Sequence, residues 1–179
     1  MADSAAVMVA VLIVLAVLVW PGAAPAGEAA RALDGDTIEL AGRVMDLYGI
    51  DAPESTQVCA RGGQPWACGR EAARVLDRLV HGRAVRCMAV SAGAGAVPRG
   101  ICKAGDFDLA AEMVNRGLAV LAPAEANPYL ANLREARAVG MGMFGGLYVE
   151  PRAWRTGSRL AIEPSSNDQA PMATSGNTP

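Results

Sequence analysis

The chain has a single histidine, His81, in 179 residues. A Ser-His-Asp mechanism needs a histidine held between nucleophile and carboxylate. His81 instead precedes Gly82 at the end of a helical pattern, where a solvated cap is the simpler role. Positive charge is not in excess either. The formal net charge is -2, and residues 28–155 carry 15 acidic and 15 basic side chains. A protein that holds nucleic acid through its overall charge shows a basic footprint; here only a local patch would serve. The four cysteines include no Cys-x-x-Cys pair, which sets aside the common zinc sites. No internal repeat is present, so a chain of this length is expected to form one domain with tails.

Both ends lack the pattern of a folded surface. Residues 5–20 form an unbroken apolar run of 16, and no charge occurs between Ser4 and Gly27. Ala24-Pro25-Ala26 has the small-residue pattern of a cleavage site. The run is longer than a usual signal core and slightly short for a spanning helix. Residues 1–26 therefore read as a signal peptide or a retained hydrophobic anchor helix, with a buried core helix as the alternative that lacks any polar face. Export follows from either of the first two: to the periplasm, to the outside, or to the inner membrane through the anchor. Residues 156–179 are rich in Ser, Asn, Pro and Thr and read as a disordered tail. Between them, residues 27–155 form the domain. Its four cysteines are Cys59, Cys68, Cys87 and Cys102. An even count with wide, unequal spacing suits disulfides in an oxidising compartment; buried free thiols are the alternative.

What the chain does have is concentrated in residues 34–54. Asp34-Gly35 reads as a tight turn, Thr37-Ile38-Glu39-Leu40 alternates like a half-buried strand, and residues 44–48 run back after Ala41-Gly42-Arg43. In an antiparallel hairpin the far ends of the two runs meet. Asp36 and Asp51 lie at those ends, with Glu54 just beyond. Three carboxylates are thus expected to converge where a hard cation would bind. Residues 55–66 read as a surface loop, 69–80 as a helix with Ala72, Ala73, Leu76, Leu79 and Val80 on its apolar face, and 84–91 as a strand. A flexible loop (92–98), a short strand (100–104) and a helix (108–116) with Leu109, Ala110 and Met113 inward follow. An extended segment (118–121) and a third helix (127–140) with Leu130, Leu133 and Val139 in the core complete an α+β pattern.

Asp34-Gly35-Asp36-Thr37 followed by Gly49-Ile50-Asp51-Ala52-Pro53-Glu54 resembles the staphylococcal nuclease (thermonuclease-like) family. Gln57-Val58-Cys59, Trp66-Ala67-Cys68-Gly69, Met113-Val114-Asn115-Arg116-Gly117 and Pro151-Arg152-Ala153-Trp154-Arg155 extend the resemblance over residues 31–155. It implies a five-stranded OB-type β-barrel with three α-helices and disulfides Cys59–Cys68 and Cys87–Cys102. It also implies calcium-assisted hydrolysis of phosphodiesters in single- or double-stranded DNA or RNA, by a monomer. By motif, Asp36, Asp51 and the Ala52 carbonyl match the calcium ligands, Glu54 the residue that handles water, and Asp34 a supporting acid.

The chain departs from the family at its arginines. Asp46 stands where the family has a catalytic arginine, five positions before Asp51. Arg43 is no simple replacement, because positions 43 and 46 face opposite sides of a regular strand. Aligning on Cys102 without gaps places Val97 at the second arginine; Arg99 is the nearest candidate and requires the loop to be two residues shorter. Loss of such arginines costs on the order of 10³ to 10⁵ in rate. Two functions are therefore expected to compete: an exported calcium-dependent nuclease, and a catalytically silent module of the same fold that binds nucleic acid, a cation or a protein. A third reading is an anchored structural protein of the envelope.

Overall fold

A computed structural model describes residues 28–91, 97–123 and 127–161. The apolar segment 1–26, most of the glycine-rich loop and most of the C-terminal tail fall outside the described residues. Among the described residues no helix is long and apolar enough to cross a membrane.

The chain opens with an antiparallel meander: β1 (Ala30–Ala32), β2 (Thr37–Leu40) and β3 (Arg43–Leu47). Ala41 and Gly42 both take positive φ, 49° and 78°, the two-residue turn whose twist matches a hairpin. That turn sets Leu40 opposite Arg43 and Thr37 opposite Asp46. With the register fixed, Ile38, Leu40 and Leu47 reach the core, while Thr37 and Asp46 share the other face.

β4 (Ile50–Asp51) follows Gly49 and pairs with the later β10 (Val120–Leu121), Val120 opposite Asp51. Residues 55–66 are not all loop. They hold a small hairpin, β5 (Cys59–Arg61) and β6 (Gln64–Trp66), turned by Gly62 and Gly63, both at positive φ. Two consecutive glycines between short runs are themselves a hairpin signal, and here they outweigh the polar composition.

α1 (Cys68–Val80) packs Ala72, Val75, Leu76 and Val80 inward against β1 and its neighbours. β7 (Val85–Ser91) and β8 (Arg99–Ala104) are antiparallel, with Cys87 opposite Cys102. β8 also pairs in parallel with β3, Asp46 opposite Arg99. β9 (Phe107–Asp108) continues along β8. The main sheet thus has six strands in the order β1-β2-β3-β8-β7, with β9 on β8, and it curls around the core.

α2 (Leu109–Asn115) is capped by Asp108, whose carboxylate accepts the Ala111 amide at 3.1 Å. α3 (Leu130–Ala138) packs on α2. Its expected phase needs correction. Leu130 and Val139 are exposed, and Tyr129, Leu133 and Ala136 face inward. The Tyr129 hydroxyl donates to Asp108 at 3.2 Å, which fixes the rotation of the helix, and Val139 already lies past its last turn. A 3-10 turn (Gly142–Gly145) and α4 (Pro151–Arg155) follow, which brings the α-helices among the described residues to four rather than three. Thr156 and Gly157 still fold back on α4 through their amides.

Both disulfides implied by the resemblance are present, Cys59–Cys68 and Cys87–Cys102, and no cysteine is free. Each closes a short loop, worth about 2–4 kcal/mol. The first ties the β5–β6 hairpin to the start of α1.

Gly69 sits where that tie is tightest. Its amide donates to the Gln57 carbonyl at 3.2 Å, and a Cβ there would lie 1.6 Å from the Glu54 carbonyl oxygen. Gly69→Ala is expected to cost about 3 kcal/mol or more, because only backbone movement relieves such an overlap. Urea unfolding of the oxidised protein measures this; a variant as stable as the parent would contradict the close packing.

Candidate active site

The turn at Asp34 comes first. Its Oδ1 accepts the amides of Asp36 at 3.0 Å and Thr37 at 2.8 Å, a local hydrogen-bonded turn that aspartate favours. Gly35 lets that turn press on its neighbours: an added Cβ would lie 2.7 Å from both Ala52 and Ala72. The result locks the first motif against the second. Asp36 Oδ2 accepts the Ala52 amide at 2.7 Å, and the Asp36 carbonyl accepts the Leu47 amide at 2.7 Å.

Beyond Ala52 the loop is held by Gln57, the one buried polar side chain among the described residues. Gln57 accepts the Glu54 amide at 3.3 Å, donates its own amide to the Glu54 carbonyl at 2.7 Å, and donates from Nε2 to the Val149 carbonyl at 2.7 Å. It therefore connects the Asp51–Glu54 loop to the segment that leads into α4.

These elements enclose a cleft of about 420 Å³. Five carboxylates line it, Asp34, Asp36, Asp46, Asp51 and Glu54, against three guanidiniums, Arg99, Arg152 and Arg155. Asp36, Asp51, Glu54 and Arg99 line this one cavity, and the buried Ala52 lies behind it, joined to Asp36 through its amide. The carboxylates do not meet at one point. Asp36 turns to the Ala52 amide, whereas Asp51 and Glu54 turn to Arg155. Arg155 donates Nη1 to Asp51 Oδ1 at 2.9 Å, Nη2 to Asp51 Oδ2 at 3.0 Å, and Nη1 to Glu54 Oε1 at 2.8 Å.

Among the described residues, no group of three or more His, Cys, Asp or Glu side chains has the geometry to hold a metal ion. The donor chemistry nonetheless suits a hard cation, being all oxygen. Asp36 is pushed up to about 8, first by burial and then by the charges of Asp34 and Asp51, with the Ala52 hydrogen bond opposing. Arg155 in turn is held above its ordinary range by its hydrogen bonds to Asp51 and Glu54.

Asp46 does not turn away. It lines the cleft and accepts the Thr37 hydroxyl at 2.9 Å. Arg43 lies on the opposite face, 3.2 Å from Glu28, as strand parity requires. Arg99 lies across from Asp46, and the side chains of Arg99 and Arg152 make no hydrogen bond or ion pair among the described residues. His81 is exposed at the end of α1, away from the cleft.

Arg155, Arg152 and Gln57 are the residues that reading the sequence did not assign. The Pro151-Arg152-Ala153-Trp154-Arg155 segment carried one usable signal, a proline that starts a helix, but nothing in it points to residues about a hundred positions earlier.

No family model matches the chain. Over 60 residues it is 45% identical to the succinoglycan biosynthesis protein ExoI of Rhizobium meliloti (strain 1021), a match that covers 32% of this chain and 31% of that protein. The chain thus spans about a third of the length of the curated relative it matches.

Proposed function

We propose that the cleft hydrolyses phosphodiester bonds of DNA or RNA with the help of calcium, in an exported protein of thermonuclease-like design. The observation that carries this reading is the docking of the Asp34–Thr37 turn onto the Asp51–Glu54 loop, through the 2.7 Å bond from the Ala52 amide to Asp36. It puts the acidic residues and Arg99 around one cavity. The five strands along β1-β2-β3-β8-β7 support an OB-type barrel, and the two disulfides support an oxidising compartment.

In this reading Asp36, Asp51 and the Ala52 carbonyl hold calcium, which when bound polarises a phosphoryl oxygen and offsets developing charge. Glu54, with its side chain about a third exposed, takes the proton of the attacking water. Arg99, whose side chain has no hydrogen bond or ion pair among the described residues, faces the phosphate from β8. A cleft with more carboxylates than guanidiniums repels a polyanion, so added positive charge is needed before substrate enters.

One observation favours the second reading, a silent binding module: Asp46 and not an arginine faces the cavity from β3. The deciding experiment is cleavage of single-stranded DNA by the oxidised full chain, with calcium and with chelator. Calcium-dependent cleavage is the expected result. A folded, oxidised protein that cleaves nothing would move the assignment to the binding module.

A further inference from the structure

Arg155 is the last residue of α4, a five-residue helix seated by the buried Pro151. Its guanidinium makes three hydrogen bonds to Asp51 and Glu54. The two ends of Asp51 are both engaged, which is the bidentate geometry that arginine forms best. Asp51 is well covered in this contact, 14% exposed, whereas Arg155 is 44% exposed. The cation therefore caps the acidic residues from the solvent side, and its side chain has room to leave without disturbing the core.

Two further features tie this contact to the site. The carboxylates involved are those assigned here to calcium and water. Their loop is also tied to the approach to α4 by Gln57, so loop and arginine are built to meet.

We propose that Arg155 is a resident cation of this cleft, and that a hard divalent cation and the Arg155 guanidinium compete for Asp51, Glu54 being freed when Arg155 leaves. This rests on the hard-cation reading given above. The consequence is thermodynamic. If the binding-competent form is the fraction with Arg155 released, the apparent cation affinity is lowered by that fraction. Arg155 then sets the calcium level at which the cleft opens, and without calcium it keeps the carboxylates from repelling one another.

The test is calorimetric titration of calcium chloride into the chelator-stripped full chain, and into Arg155→Gln and Arg155→Lys. Glutamine removes the charge. Lysine keeps a charge but loses the bidentate fork, and it covers the case in which the glutamine variant does not fold. Calcium affinity is expected to rise by about tenfold or more in Arg155→Gln and by less in Arg155→Lys, as expected when an occupied state is relieved. Binding to the parent with equal or weaker binding to both variants would overturn the competition and make Arg155 a support for the two carboxylates. No calcium binding in any of the three proteins would overturn it together with the hard-cation reading. Tighter binding without DNA cleavage would support the competition while the nuclease reading fails.

Discussion

Glu54→Gln is expected to lower calcium-dependent cleavage of single-stranded DNA by about two to four orders of magnitude, the range typical of a lost general base. The substitution is conservative in shape. The backbone amide and carbonyl of Glu54 hold Gln57, and both survive. Its side chain meets Arg155 alone among the contacts described above, and Arg155 keeps its two bonds to Asp51. Stability in urea is therefore expected to change little, since an exposed ion pair contributes little. Steady-state cleavage rates of the two oxidised proteins measure the effect. Equal rates would remove Glu54 from the chemistry.

Asp46→Arg is expected to work in the opposite direction. Asp46 faces the cleft beside Thr37 and opposite Arg99, so an arginine there projects toward the same space. The change removes one negative charge and adds a positive one where phosphate must approach. A charge-stabilising arginine in phosphoryl transfer is worth on the order of 10³ or more in rate, and the gain in cleavage is expected to approach that. Oligonucleotide binding should tighten as well and become more sensitive to salt, because one more phosphate contact releases counterions. Cleavage and salt-dependent binding, each measured against the parent, check the two parts. No change in either would mean that Asp46 is not what distinguishes this cleft.

The two substitutions differ in how visible they were. Asp36, Asp51 and Glu54 were legible because short-range rules bring them near one another. A two-residue turn fixes the β2–β3 register, the register fixes which ends meet, and Asp34 folds its own turn through hydrogen bonds to residues two and three ahead. Strand parity likewise separated Arg43 from Asp46, and the structure puts them on opposite faces. α1 was legible from its period. The rotation of α3 was not, because a hydrogen bond from Tyr129 to Asp108, 21 positions away, sets it. The β5–β6 hairpin had its signal in Gly62-Gly63, which the polar composition around it obscured.

By itself, then, the sequence determined what depends on neighbours along the chain: the hairpin, the acidic turn, the first helix, and the alternation that assigns side chains to faces. The tertiary structure alone decided what occupies the acidic cleft. Arg155 meets Asp51 across 104 positions, and Gln57 meets Val149 across 92. No local propensity encodes such a meeting. It depends on where the packed core, the Cys59–Cys68 tie and the seating of Pro151 leave the last helix. Charge then completes it, since a guanidinium delivered beside two carboxylates is held there by hydrogen bonds that a linear sequence does not display.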